Sequence, residues 1–307
     1  MLSRWRLLTP RPKESLHRAR LHTSPSSLAT TLVELHLALR PFWAGVTHVV
    51  IGAGDPNPTV RGGGSGALRE AGVDVREGIL EDECREQMRE FMHWCESKCP
   101  FVVLKAAIDS HGRIDGDQSQ PAERFTSEAS LEMVHQLRSE SMAIIVGINT
   151  VIRDNPSLTV RGLEIGPREP PVRVVIDPNG RIPSDCTLMQ NSSAPTLLIH
   201  CNDSDDTSDL PHVERVVLPD DDGEISVSRI LDMLGDRGVQ SVMVEGGADT
   251  WKRFLKEGFV DRAHLFSSPV KLSGDQGVTF NETELVSAGL SRISVRDVDG
   301  DELSRWE

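Results

Sequence analysis

Ala143-Ile-Ile-Val146-Gly-Ile-Asn-Thr150-Val-Ile-Arg-Asp154-Asn-Pro156-Ser-Leu158-Thr-Val-Arg161 is the stretch whose reading decides the fold. Its first four residues form an uninterrupted apolar run, the pattern of a strand buried on both faces. Gly147 closes the run with a residue that permits close backbone approach. Thr150 and Asp154 lie four apart on the helical turn that follows. Asn155-Pro156 stops that turn, because a residue preceding proline is pushed out of the α region. A polar cluster therefore sits at the carboxyl end of a strand.

The same alternation extends outward. Phe101-Val-Val-Leu-Lys-Ala-Ala-Ile108 reads as a buried strand and Asp109-Ser-His-Gly112 as a turn. Residues 127–138 read as an amphipathic helix carrying Leu131, Val134 and Leu137 inward. Strands are expected at 172–176, 196–200, 214–218 and 239–244, with a turn at Asp177-Pro-Asn-Gly180 and a helix over 225–234. This pattern gives an α/β fold: a mainly parallel sheet with helices on both faces. The acidic segments 203–209 and 220–222 read as solvated loops. A second constellation, Ser241-Val-Met-Val-Glu245-Gly246-Gly247-Ala-Asp-Thr250-Trp-Lys-Arg-Phe254, reads strand, two glycines, helix, with Asp249 or Thr250 near the cap. Helix amino termini bind phosphates, although a glycine pair at such a turn also serves tight strand-to-helix packing alone.

The 146–161 block, the Glu245-Gly246-Gly247 loop and Pro269-Val-Lys271-Leu-Ser-Gly274 together resemble the reductase domain of the bifunctional riboflavin-biosynthesis deaminase/reductase family, from about residue 99 to near the end. The resemblance implies a dihydrofolate-reductase-like sheet and NADPH as cofactor. It implies reduction of 5-amino-6-(5-phosphoribosylamino)uracil to the ribitylamino compound, with hydride delivered to the ribose C1′. It carries substrate contacts to Arg138, Leu158, Arg161 and Glu245, and cofactor contacts to Thr150, Asp154, Gly247, Ala248, Asp249 and Thr250. A ribosyl phosphate needs guanidinium groups that fork onto its oxygens, which Arg138 and Arg161 supply. Opening of the ribose requires proton transfer, and the chain has no tyrosine. Asp154 or Glu245 with a bound water is the expected acid/base group. Apart from the resemblance, Arg138 reads as a solvated helix charge and Glu245 as a partner for a helix dipole.

The chain departs from the family where the turn after the first reductase strand reads Asp109-Ser-His111-Gly112-Arg113, with histidine at a position expected to hold aspartate. The segment Ser119-Gln-Pro-Ala-Glu-Arg124-Phe-Thr126 lacks an expected tryptophan. Both changes fall near the expected cofactor site.

Residues 29–98 form a separate compositional unit that resembles the end of the family's deaminase domain: a strand at 46–51, Asp55-Pro-Asn-Pro58, a glycine pair, then Ala67-Leu-Arg-Glu-Ala-Gly-Val-Asp-Val75 and an acidic helix opening at Gly78 and running toward Trp94. Zinc-dependent deamination needs a His-x-Glu segment and a Pro-Cys-x-x-Cys segment to hold and deprotonate a water. Neither is present, so this unit is expected to be a degenerate remnant and no metal site is expected. His93-Trp-Cys95-Glu-Ser-Lys-Cys99 lacks a second ligand pair and reads as unliganded thiols on a helix. The glycine run 62–66, without the Lys-Ser/Thr of a P-loop, reads as a flexible loop.

The first 28 residues carry Arg4, Arg6, Arg11, Lys13, Arg18 and Arg20 against the single acid Glu14, with recurrent serine and no continuous apolar core. That is the composition of an organellar transit peptide, or alternatively of a disordered basic tail; without import the expected location is cytoplasmic. The whole chain has 33 basic and 47 acidic residues, a balance of −14, which argues against sequence-independent nucleic-acid binding. No apolar run is long enough to span a bilayer, and five scattered cysteines fit a reducing compartment. The partners expected are a phosphorylated pyrimidine and, by resemblance, a second copy in a homodimer. Two other functions compete: a reductase of this fold acting on another small substrate, and a non-catalytic NADPH-binding scaffold.

Overall fold

The computed structural model describes residues 45–57, 63–117, 122–163, 169–202, 210–218, 225–274 and 277–307. The segment 1–28, the apolar stretch 31–39 and the acidic loops at 203–209 and 220–222 lie outside them. The chain divides into two compact units, Met1–Ser97 and Lys98–Glu307.

In the first unit, β1 (His48–Ile51) and β2 (Asp74–Glu77) pair in parallel across the helix α1 (Gly63–Glu70). Val49, Leu68 and Val73 form its apolar centre. The expectation of a loop across the glycine run is wrong from Gly63 onward, where those glycines make the first turn of α1. Glycine is a poor helix former, but Leu68 one turn later is buried against Val49 and Val73, and that packing outweighs the local preference. The single acidic helix expected after Gly78 is two helices, α2 (Glu81–Gln87) and α3 (Arg89–Ser97), broken at Met88.

The second unit is one nine-stranded sheet. Its strands are β3 (Phe101–Ile108), β4 (Ala143–Gly147), β5 (Val172–Ile176), β6 (Thr196–His200), β7 (Val213–Val217), β8 (Ser241–Val244), β9 (Arg262–Ser267), β10 (Arg292–Val298) and β11 (Asp301–Trp306). Their order is β10-β11-β9-β3-β8-β4-β5-β6-β7, parallel throughout from β9 to β7 and antiparallel only at the β9-β11-β10 edge. The helices are α4 (Glu128–Glu140), α5 (Ile148–Asp154), α6 (Thr187–Gln190), α7 (Val227–Asp236), α8 (Ala248–Lys256) and α9 (Glu282–Ser287).

The period-2 alternation of strand side chains explains the two cores. Ala143 and Ile145 of β4, with Val242 and Val244 of β8, pack beneath Ile230, Leu231 and Leu234 of α7 and Trp251 and Phe254 of α8. Ile144 and Val146 face the other way, against Val151 of α5 and Leu188 and Met189 of α6. Helices therefore cover both faces, as the uninterrupted apolar strands require. The leucine, isoleucine and methionine side chains among these are almost wholly buried, and truncating one to alanine costs roughly 2–5 kcal/mol.

Helix α4 is fixed at its start by a polar clasp. Ser127 caps it by accepting from the Ser130 N–H, while the buried Asp301 carboxylate of β11 accepts from the Ser127 N–H and the Ser130 hydroxyl, each at 2.7 Å. The clasp sets the register of α4 on the sheet, and hence where Arg138 lies near its far end.

Candidate active site

Strands β8 and β4 are neighbours although their sequences are far apart, so the residues following each meet at one edge of the sheet. The Glu245 N–H donates to the Ile145 carbonyl at 2.9 Å, extending the ladder by one residue and fixing the glutamate at the strand end. Glu245 is buried. Its two oxygens accept from Nε and Nη2 of Arg138 at 2.6 and 2.7 Å, and Arg138 Nη1 donates to the Thr159 carbonyl at 3.1 Å. The two side chains are only 11% and 10% exposed. Burial pushes the Glu245 carboxyl toward neutrality, but the Arg138 charge and hydrogen bonds, then Lys105 and His135, outweigh it and hold the pKa below the ordinary range. Glu245 is thus held as an ionised acceptor. Arg138 is correspondingly not an open fork: three of its N–H groups are engaged inside the protein.

Two residues of this cluster escaped the sequence reading. Lys105 projects from the middle of β3 and lies within 5.8 Å of the Phe266 ring centre. Burial lowers its pKa, an effect opposed by the Glu245 charge. A lone lysine inside an otherwise apolar strand was the available signal, since a buried ammonium needs an anion. His135, also buried, accepts from the Arg161 N–H at 3.3 Å. Desolvation, then the Arg138 and Arg161 charges, lowers its pKa.

Arg161 itself is exposed; its guanidinium donates to the Ser157 hydroxyl at 3.0 Å. Leu158 sits at φ 50° with its side chain only 2% exposed, inside the cluster formed with α5 and α6.

Beside this cluster the glycine turns close on each other. The Gly247 N–H donates to Thr150 Oγ1 at 2.9 Å. A Cβ on Gly147 would lie 2.6 Å from Thr250 Oγ1, and one on Gly246, which sits at φ 132°, would lie 2.9 Å from Thr150 Oγ1. Gly247 is the cap of α8 with no side chain capping it, and Asp249 and Thr250 follow in the first turn, near the cap as expected. Ala248 is buried, leaving only its backbone for contact, while Asp249 is exposed in the first turn. The chemistry of this cradle fits a phosphate-bearing nucleotide: hydroxyls, glycines that clear space and the positive end of a helix.

Asp154 answers to a different set of neighbours. It is the last residue of α5, followed by Asn155 in the left-handed region at φ 42°. Crowding by surrounding protein, then the Asp115 carboxylate, raises its pKa, with Arg153 working against them. Arg153 is itself paired with Asp115 at 2.9 Å. The unusual turn after β3 is a rigid clamp. Asp109 accepts from the His111, Arg113 and Leu272 N–H groups and from the Arg113 guanidinium at 2.7–3.0 Å, which overcome the opposing effect of burial and bring its pKa to about 2. Arg113 in turn binds the Leu272 and Gly274 carbonyls. The aspartate is thus used to tie the turn to the 269–274 segment. Among the described residues no group of three or more His, Cys, Asp or Glu side chains could hold a metal ion, and no helix is long and apolar enough to cross a membrane.

Residues 100–302 match the family model described as the RibD C-terminal domain. The chain belongs to the RibD C-terminal domain family. Its relatives include the riboflavin biosynthesis protein RibD of Aquifex aeolicus, 34% identical over 234 residues that cover 76% of this chain and 64% of the relative. RibD of Actinobacillus pleuropneumoniae is 34% identical over 240 residues, covering 76% and 62%. This RibD-family chain therefore spans less than two thirds of the length of either. A solved Thermotoga maritima protein, a diaminohydroxyphosphoribosylaminopyrimidine deaminase/5-amino-6-(5-phosphoribosylamino)uracil reductase, superposes with a TM-score of 0.73 at 30% identity, covering 88% of this chain and 74% of its own. The riboflavin biosynthesis reductase Rib7 of Saccharomyces cerevisiae shares the fold at a TM-score of 0.54 and 19% identity, over 73% of this chain and 99% of its own.

Proposed function

We propose that this chain catalyses the NADPH-dependent reduction of 5-amino-6-(5-phosphoribosylamino)uracil to 5-amino-6-(5-phosphoribitylamino)uracil. The observation that carries the proposal is the ion pair between the buried Glu245 and the half-buried Arg138, with the half-buried Lys105 near it, set directly beside the glycine cradle of residues 147, 246 and 247. Such a juxtaposition suits a sugar-bearing substrate held against a dinucleotide.

Thr150, Thr250 and the backbone of Gly247 and Ala248 are the groups that would hold the cofactor's phosphates. The bound dihydronicotinamide supplies the hydride that reaches C1′ of the ribose. The protein does the rest by orientation and charge. Glu245, kept ionised, accepts from sugar hydroxyls or the uracil edge, and Arg138 keeps it in place. Arg161 takes the substrate phosphate. Lys105 Nζ would give the ribose ring oxygen its proton, because desolvation weakens its hold on the proton. Asp154, raised and exposed, orients the cofactor or relays protons at the other edge.

The first unit we read as the non-deaminating remnant of a deaminase domain, supported by its order of motifs and its lack of the zinc-binding segments. Organellar import and homodimer formation complete the proposal, resting on composition and family. The deciding assay is loss of NADPH absorbance by purified protein with and without the phosphoribosylamino compound. Substrate-dependent oxidation yielding the ribityl product is expected; tight NADPH binding without turnover would leave a scaffold instead.

A further inference from the structure

Residues 157–161 reach the site without belonging to a strand or a helix. Among the described residues no backbone-to-backbone hydrogen bond ties them to the rest of the chain. Near their start they are held by Leu158, buried in the cluster with α5 and α6. Further on they are held by two side chains of α4. Arg138 Nη1 donates to the Thr159 carbonyl at 3.1 Å, and Nδ1 of His135 accepts from the Arg161 N–H at 3.3 Å. These two residues lie three apart on one face of the helix, whose place on the sheet is set by the clasp at its start.

The two ties differ in kind. Arg138 is committed to Glu245 through two other N–H groups. His135 is buried and grips the amide of the residue whose guanidinium is to meet the substrate phosphate. That guanidinium is exposed and donates to Ser157, inside the same segment, so the main chain sets its aim.

The grip depends on charge. A neutral imidazole accepts through Nδ1 while Nε2 carries the proton, and an imidazolium can only donate. The charged groups that act on the ring are Arg138 on its own helix, Arg161 on the gripped segment and Glu245 at the end of β8, with Lys105 of β3 acting on that glutamate. Glu245 and a backbone hydrogen bond at Thr159 favour the imidazolium, but desolvation and the two guanidiniums outweigh them and hold the pKa below the ordinary histidine value. The acceptor is therefore present at neutral pH and is lost as the pH falls through that lowered value.

Resting on the reading above, we infer that His135 is a positioning residue for substrate capture: by accepting from the Arg161 N–H it fixes the segment that presents the phosphate-binding guanidinium, and in acid it releases that segment. His135→Asn keeps an acceptor close to the place of Nδ1 and cannot titrate. His135→Leu keeps bulk and accepts nothing.

The test is steady-state kinetics of the full chain and both variants from about pH 5 to 8, below their measured thermal midpoints. His135→Leu should raise the substrate KM about twofold to tenfold, the value of one hydrogen bond, and leave kcat and the KM for NADPH within about twofold. His135→Asn should restore most of that loss at neutral pH. In acid the wild-type substrate KM should climb more steeply than that of His135→Asn, where the imidazole contribution is gone and the substrate phosphate, with a second pKa of about 6, still titrates. Hydrogen exchange at the Arg161 amide should quicken in His135→Leu and stay slow in His135→Asn. An unmoved substrate KM in His135→Leu, an equal loss for NADPH, or an asparagine variant no better than the leucine one would each overturn the inference and leave the reductase reading standing. Parallel pH profiles in wild type and His135→Asn would overturn the release in acid. A wild-type chain that oxidises no NADPH with the phosphoribosylamino compound would instead sink the proposed function, and the inference with it.

Discussion

Glu245→Gln separates a buried charge pair from its partner, and its cost follows from the geometry. Arg138 loses the carboxylate that accepts from it at 2.6 and 2.7 Å, in surroundings where it is 11% exposed, and Lys105 loses the anion that opposes its desolvation. Breaking a buried pair by removing one partner costs roughly 3–5 kcal/mol. In a unit of this size each kcal/mol moves the thermal midpoint by roughly 2–4 °C, so a fall of about 6–20 °C is expected near neutral pH, toward the lower end because glutamine keeps one acceptor. The pH dependence has a definite sign. The folded pKa of Glu245 is depressed, so its contribution is complete above the ordinary glutamate range and is lost as pH falls through the lower folded value. The gap between wild type and variant should therefore narrow only in acid.

Replacing both partners, Arg138→Met with Glu245→Leu, removes the uncompensated charge, and buried pairs exchanged for apolar residues are often neutral in stability. Lys105 then meets its desolvation by shedding a proton. The double variant should regain most of the lost midpoint in a calorimetric scan. Its kcat/KM should stay at least about tenfold to a hundredfold down, the value of a charge-assisted contact of roughly 1.5–3 kcal/mol. A double variant with near-normal turnover would show that the pair only holds the fold. A single variant as stable as wild type would show the site to be far wetter than its burial implies.

Arg161→Ala should raise the substrate KM by about tenfold to a hundredfold while leaving that for NADPH nearly unchanged, with Arg161→Lys recovering part; equal effects on both ligands would make the arginine structural. Gly147→Ala places a methyl 2.6 Å from Thr250 Oγ1 and should weaken cofactor binding in a direct titration more than it lowers the thermal midpoint. Unimpaired binding would move the phosphates off the cradle. Asp154→Asn keeps the turn chemistry but cannot titrate, so a role in proton relay predicts a fall in kcat on the order of 10²-fold or more at unchanged midpoint, and unchanged kcat would remove Asp154 from the mechanism.

The strands legible in the sequence were those buried on both faces, where an unbroken apolar run has no other physical explanation. β3, β5 and β6 appear at the residues expected, and β7 within one residue. The hairpin of β10 and β11 was missed because β10 is exposed along nearly its whole length and alternates charge with apolar residues. Its signal was the Asp299-Gly300 turn, both residues at positive φ, which matches the twist of a tight hairpin. In the site, residue types were legible and pairings were not. Arg138 and Glu245 are 107 positions apart, and only the adjacency of β8 and β4, with α4 clasped over the sheet, brings them together.

That pairing changes which arginine can meet the substrate phosphate. Were the Arg138 fork to turn onto a ligand, Glu245 would be left as a buried carboxylate without its hydrogen-bonded cation, and that desolvation would cancel what the phosphate contact supplied. Arg138 is instead the residue that keeps Glu245 ionised and aimed. On the proposed function the phosphate would fall to Arg161, whose exposed guanidinium is held by one neutral partner. The division follows from burial: a cation deep in the site can serve only the charge built next to it, while a cation at the rim stays available to whatever anion arrives.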